Sequence, residues 1–308
     1  MNYGTCRNCN SAAFKLIPDG AYLAPFFLYK VWGLTTSQNW SSRKIRWLNK
    51  LTFGFLHQLK PVARLDAAIC QDCGFYSTHK EIPYQDLSNL YIDYRSSKYN
   101  QEREVFEPGY TKNIAGLLGS ESEALIRVRA LNEYFKDLAD KKIIYLQQIA
   151  SAMDWGGADG RFLPNLSAHC EKFVYEVSSV EPVKGIKRIN FLVETDTYQY
   201  MQIAHVLEHV SNPFDFLQEP LRHLADGGYL YLEVPLEVEN PHLIVEDAIS
   251  GKIILGVHEH INKFTKDSLT ALAKAHQLDV LDIRTDEVDL VWCNSKIIRL
   301  LAQKSHHE

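Results

Sequence analysis

The stretch that decides the fold reads Met153-Asp154-Trp155-Gly156-Gly157-Ala158-Asp159-Gly160-Arg161-Phe162. It follows an apolar run and opens a pattern with helical spacing, so it reads as the turn between a strand and a helix. Small residues at 156, 158 and 160 let the backbone turn tightly and let a ligand approach bare peptide groups. A second apolar run, Phe173-Val174-Tyr175, is closed by Glu176, 16 positions after Gly160. A carboxylate at the end of the second strand suits the two hydroxyl donors of a ribose. A tight turn with no ligand is the plain alternative.

Outward from this turn, residues 141–308 alternate short apolar runs with helical patterns, the signature of βαβ units and a parallel sheet. Strands are expected over 150–154, 172–177, 188–193, 200–205, 228–234, 278–284 and 296–302, and helices over 160–169, 213–225 and 265–276. A longer helix is expected to begin at Ser120, with Ser120 and Glu123 as a capping box. The fold class is therefore α/β, a Rossmann-like seven-stranded sheet preceded by a small zinc-binding domain. The expected division is 1–80 for the cysteine-bearing module, 81–140 for a helical linker or lid, and 141–308 for the ligand-binding domain.

The composition is that of an ordinary globular chain: 308 residues, 46% hydrophobic and 23% charged. A net charge of −5 argues against general nucleic-acid binding, which shows a basic excess. The start, Met1 to Asn10, has no apolar core of a secretory leader, and no run approaches the ~18 apolar residues of a membrane span. Six cysteines without an export signal point to a reducing, cytoplasmic setting and to metal rather than disulfides. Four of them form the pairs Cys6-x-x-Cys9 and Cys70-x-x-Cys73-Gly74. Two thiolates from each pair complete a tetrahedral four-sulfur shell for Zn²⁺, closed and therefore structural. A redox dithiol or plain buried thiols are the competing readings.

The 153–162 stretch resembles motif I of class I S-adenosylmethionine-dependent methyltransferases, Asp-x-Gly-x-Gly-x-Gly, with Ala158 replacing the middle glycine. His205-Val206-Leu207-Glu208-His209-Val210-Ser211-Asn212-Pro213 resembles the fourth-strand motif of these enzymes. Leu224-Ala225-Asp226-Gly227-Gly228-Tyr229-Leu230-Tyr231-Leu232-Glu233-Val234-Pro235 resembles the helix-turn-strand that follows it. The resemblance covers roughly residues 120–302. It implies that S-adenosylmethionine is the cofactor, that Gly156, Ala158 and Gly160 line its methionine part, and that Asp154 and Gly157 also belong to the cofactor site. Glu176 then takes the ribose hydroxyls, Asp196 contacts the adenine, and His205 sits beside the sulfonium.

The cysteine pairs, and Val257-His258-Glu259-His260, are similar to features of bacterial deoxysugar C-methyltransferases, whose Tyr-x-Glu-His tetrad is matched here except for Val257. That similarity implies Glu259 and His260 as the proton acceptor, with His258 and His209 near the site. Between positions 94 and 103, Tyr99 and Arg103 are candidates for a lid that holds the cofactor's carboxylate. The implied substrate is a nucleotide-linked sugar or surface-glycan precursor, methylated at oxygen or carbon. An RNA methyltransferase and a non-catalytic cofactor-binding or scaffold protein are the alternatives.

Residues 20–65 form a basic, aromatic insert: Lys30, Arg43, Lys44, Arg46, Lys50, Lys60 and Arg64 interleave with Phe26, Phe27, Tyr29, Trp32, Trp40, Trp47, Phe53 and Phe55, with no acidic residue. Such a segment can grip a pyrophosphate and stack on a sugar or base, touch an anionic membrane surface, or build a homodimer. Packing its aromatics on the main domain is the bland reading.

Overall fold

A computed structural model describes residues 4–34, 63–94, 96–112, 121–178, 180–239, 246, 255–290 and 293–305. Two sheets share these residues. The larger contains β4 (Ser151–Trp155), β5 (Glu171–Tyr175), β6 (Ile186–Ile189), β7 (Tyr198–Ala204), β8 (Leu224–Pro235), β11 (Leu278–Leu290) and β12 (Cys293–Lys304). Its order is β11-β12-β8-β7-β4-β5-β6. The five strands from β6 to β8 run parallel, while β12 lies antiparallel to β8 and β11 antiparallel to β12. The chain steps outward from β4 through β5 to β6 and then returns to β7. The order therefore reverses between β4 and β7, and ligands of open α/β sheets bind at the carboxyl ends beside such a switch point.

Helices cover the two faces of this sheet. On one face α4 (Glu121–Asp140) lays Leu131, Tyr134, Phe135 and Leu138 against Ala152, Tyr200, Tyr231 and Leu301. On the other, α5 (Pro213–Arg222) and α6 (Lys266–Ala275) set Leu217, Leu269 and Leu272 against Met153, Met201, Ile203 and Leu232. Both start where their sequence says: Asn212 caps α5 by accepting the Asp215 N–H, with Pro213 in the first turn, and Thr265 and Ser268 form a reciprocal capping box on α6.

The helix expected over 160–169 does not form. Pro164 has no N–H, and its ring drives Leu163 out of the helical region. The chain instead closes two short turns, Gly160 N–H to Gly157 O and Leu163 N–H to Gly160 O. Neither the β5–β6 nor the β6–β7 connection carries a helix among the described residues. The expected capping box at Ser120 lies outside the described residues.

The smaller sheet contains β1 (Phe14–Leu23), β2 (Ala63–Cys70), β3 (Tyr76–Thr78), β9 (Leu255–Val257) and β10 (Asn262–Lys263), ordered β10-β3-β2-β1-β9. It crosses the boundary expected at residue 80, because both outer strands come from residues 255–263. β9 pairs parallel with β1 and β10 antiparallel with β3. Around it pack α1 (Pro25–Trp32), α2 (Tyr84–Leu90) and α3 (Ser97–Phe106). From the basic aromatic insert, Phe26 and Phe27 are buried in this core, and Lys30 pairs with Glu102 at 3.0 Å. Residues 35–62 of the insert lie outside the described residues. No described helix is long and apolar enough to cross a membrane.

Candidate functional site

At the carboxyl end of β4 the backbone turns through Gly156 (φ 76°), Ala158 (φ 52°) and Gly160 (φ 76°). A Cβ on Gly156 would lie 2.8 Å from Val206 Cγ2, and one on Gly157 only 2.0 Å from the Asp154 carboxyl carbon. The turn therefore keeps bare backbone for steric reasons. Ala158 occupies the left-handed region at a cost of about 1–2 kcal/mol. Its N–H donates to Glu176 Oε2 at 3.0 Å, and the Ser178 N–H donates to Glu176 Oε1 at 2.8 Å. The structure thus brings Glu176 onto the glycine turn.

Asp154 is 1% exposed. Its Oδ1 accepts from Gln202 Nε2 at 3.3 Å, while Oδ2 has no hydrogen-bond partner among the described residues. Burial pushes its pKa up to about 7, Glu176 and Asp159 add to the rise, and the Gln202 bond opposes it. An orphaned acceptor beneath a glycine turn fits a ligand that brings a cation or an N–H donor. Arg127 of α4 stands beside it, its guanidinium 4.5 Å from the Phe162 ring centroid and 3.6 Å from Glu233 Oε1. Sequence reasoning missed Arg127. The available signal was a basic residue early in the helix that leads into β4.

The segment after β7 carries the second group of residues. His205 sits at φ 55°, a strained conformation for a residue with a Cβ. Its Nδ1 lies 3.2 Å from Glu208 Oε1 and its Nε2 3.1 Å from Glu233 Oε1. Burial disfavours the imidazolium, but the two carboxylates outweigh it and raise the His205 pKa. Burial likewise works against charge on Glu208, yet the His205 bond wins and holds its pKa down to about 2. Glu233 is further held by Arg299 Nε at 3.1 Å and by the Tyr231 hydroxyl at 2.5 Å. His209 is pushed down to about 3 by burial and is neutral at ordinary pH. Its ring meets that of His260 with centroids 4.7 Å apart, and His260 Nδ1 lies 3.1 Å from Glu237 Oε2.

The remaining sequence candidates fall elsewhere. Asp196 precedes β7, where its carboxylate accepts from the Val193 N–H at 3.1 Å and its carbonyl from His223 Nδ1 at 2.9 Å. Because β4, β5 and β7 are parallel, that end is the rim opposite Gly156 and Glu176, which corrects the expected adenine contact. Arg103 is buried and ion-paired with both Glu107 and Glu259, its guanidinium carbon 4.1 Å from the centroid of the Tyr110 ring. A desolvated guanidinium needs such carboxylates, and here two of them share its charge. Tyr99 lies in the core of the smaller sheet, 5.2 Å from the Phe26 ring, and its hydroxyl accepts from Arg103. The Glu259 carboxylate is taken by Arg103 and by the Tyr94 hydroxyl. His258 is 57% exposed and pairs with Glu107, away from the His209–His260 contact.

The four cysteines meet. Cys6 and Cys73 Sγ lie 3.9 Å apart, Cys9 and Cys70 Sγ 3.7 Å, and all four sulfurs fall within 4.8 Å of one another. A tetrahedron with metal–sulfur bonds of about 2.3 Å has edges of about 3.8 Å, so the spacing is that of a four-thiolate shell. The knuckles are welded to the larger sheet. The Phe214 N–H donates to Arg7 O at 3.0 Å, Asn8 Nδ2 donates to Ser268 O at 2.8 Å, and Cys6, Cys70, Cys73 and Phe75 join its apolar core.

A seven-stranded sheet in this order, with a glycine turn at its switch point and an acidic residue after the neighbouring strand, defines an S-adenosylmethionine-dependent methyltransferase. The family model described as a methyltransferase domain matches residues 124–283, and the chain belongs to that family. No curated relative matches the sequence. Among solved structures the chain is similar to a Burkholderia thailandensis 1,6-didemethyltoxoflavin-N1-methyltransferase with bound S-adenosylhomocysteine (13% identity, TM-score 0.44, covering 77% of this chain and 98% of that one). It is also similar to a Leishmania major S-adenosylmethionine-dependent methyltransferase (14%, 0.44, 61% and 76%) and to the Bradyrhizobium japonicum N-methyltransferase NodS (13%, 0.35, 56% and 97%).

Proposed function

We propose that this methyltransferase acts on a nucleotide-linked sugar or surface-glycan precursor, at oxygen or carbon, in the junction between its two sheets. One observation carries the reading. A continuous file of ionisable side chains leads from the glycine turn to the smaller sheet: Arg127, Glu233, His205, Glu208, His209, His260 and Glu237. It joins a cofactor rim to groups that can handle an acceptor's proton. S-adenosylmethionine, when bound, supplies an electrophilic methyl group. Glu176 takes its ribose hydroxyls, Asp154 its ammonium and Arg127 its carboxylate. His209 and His260 activate the acceptor, and Glu259, locked to Arg103, positions the segment that carries His260. The four cysteines hold a structural zinc ion that fixes the smaller sheet against the larger.

The test is transfer of a labelled methyl group to a panel of nucleotide sugars. His260→Ala is expected to lower turnover about 10²–10⁴-fold while cofactor affinity stays within twofold. Turnover unchanged in this variant would remove its role. Transfer to RNA instead, with a steep salt dependence, would replace the substrate reading.

A further inference from the structure

Within the junction, three side chains are arranged in a way that proton transfer alone does not require. Glu208, His209 and His260 each offer one donor atom, and these atoms all lie within 4.8 Å of one another. The remaining ring nitrogens are already engaged. His209 Nδ1 donates to the Glu259 carbonyl at 3.3 Å, and His260 Nδ1 lies 3.1 Å from Glu237 Oε2. Metal-binding histidines are typically held this way, with one nitrogen on a carbonyl or carboxylate so that the other faces the ion. His209 Nε2 points at Glu208, 3.8 Å from Oε1.

Glu208 supplies the second, independent observation. Its side chain is 1% exposed, Oε1 is shared with His205, and Oε2 is buried with no hydrogen-bond partner among the described residues. A sealed carboxylate oxygen without a donor is costly unless something cationic meets it. The backbone fixes the set in place. The Ile261 N–H donates to Glu208 O at 2.9 Å, and Asn262 Nδ2 donates to Leu207 O at 2.9 Å and to Val210 O at 2.7 Å. His205 meets Glu208 at Oε1, and Lys263 is occupied by Glu237.

We propose that Glu208, His209 and His260 form a site for a divalent transition-metal ion, distinct from the cysteine shell, with positions left open toward the junction for an acceptor oxygen. Two imidazoles and one carboxylate make a three-donor face suited to manganese, iron, cobalt or zinc in the divalent state. The half-exposed His260 marks the open side. The site rests on the reading above that this cluster activates the acceptor, and it names the activating group as a bound Lewis acid that acidifies a coordinated hydroxyl.

Mn²⁺ is the probe of choice, because carboxylate and imidazole sites take it while a thiolate shell favours zinc. The full chain, its cysteine site loaded with zinc, is titrated with Mn²⁺ and followed by electron paramagnetic resonance. The expected result is one ion per chain, bound at micromolar concentration, with spin-echo modulation from imidazole nitrogen. His209→Ala, His260→Ala and Glu208→Gln should each weaken binding at least about 100-fold, Glu237→Gln about 10-fold, and His258→Ala not at all. Absence of binding below millimolar Mn²⁺, absence of nitrogen modulation, or binding that survives His260→Ala overturns the site. The nitrogen signal is read on the unsubstituted chain, so a variant that fails to fold does not shield the proposal. Methyl transfer without Mn²⁺ binding would leave the functional reading standing and remove the metal; binding without transfer to any nucleotide sugar would do the reverse.

Discussion

Val177 and Phe191, beyond β5 and β6, stand 80% and 88% exposed, whereas Ile203 on β7 and Leu232 on β8 are sealed. The two halves of the larger sheet are built on different principles. The β4–β5–β6 half has no helix among the described residues of its connections and carries a glycine turn closed by its own backbone bonds and by one carboxylate, Glu176. The β7–β8–β12 half has α5 and α6 packed on it and a buried file of charges at its rim. A turn held by its own backbone bonds needs little protein around it. Side-chain charges must be held in position and kept from water, and that takes a thick core and a second sheet to close the far side.

The sharpest way to break this contrast is to detach the second sheet. Cys73→Ser, or a strong chelator, should cost on the order of 10 kcal/mol and unfold the larger sheet together with the knuckles, because three of the cysteines lie in its core. A thermal melt that retains the larger-sheet transition would show instead that the two parts are independent. Next in size, Glu233→Gln leaves Arg299 and His205 without their shared anion and should destabilise by about 5 kcal/mol in urea unfolding, at the upper end for a broken buried pair. A loss below 1 kcal/mol would mean that the file of charges is not what orders this rim.

The cofactor half should respond to pH. Asp154 ionises near 4 when unfolded and near 7 when folded, so the folded state holds its proton more tightly. Its contribution to stability is complete below about pH 4 and is lost as pH rises through 7, a span worth on the order of 4 kcal/mol. Asp154→Asn should therefore match the unsubstituted protein at pH 4 and exceed it in stability at pH 8, read by denaturant midpoints. Equal stability at both pH values would put the ionised carboxylate in a better environment than the structure shows. Smallest of all, Phe191→Ser should change stability by no more than about 0.5 kcal/mol, since that ring is outside the core. A larger loss would give the bare half a core of its own.

Much of the fold was legible in the chain. The strands of the larger sheet overlap the short apolar runs that predict them, although β6 (Ile186–Ile189) begins and ends earlier than the expected 188–193, and the two cysteine pairs meet as their spacing implies. The helix over 160–169 failed because one residue, Pro164, outweighs a favourable apolar pattern. β9 and β10 were invisible because strands of three and two residues carry no periodicity. Asp196 could have been placed correctly: a residue that precedes a parallel strand must lie on the rim opposite a residue that follows one. Glu233 and Glu237 were not legible, since each matters through partners distant in sequence. The same reason explains Arg103, whose carboxylate partners Glu107 and Glu259 no local pattern announces.

The outer strands of the smaller sheet have a consequence in time. β3 ends at Thr78 and β10 at Lys263, 185 positions later. At synthesis rates of about 5–20 residues per second, the ribosome needs roughly 10–40 s to deliver the strand that covers β3. Through that interval β1 and β3 offer open edges to any neighbouring chain. Cys6 to Cys73, by contrast, all emerge before the wait begins, so an ion captured there can hold the half-built sheet together until its last strands arrive.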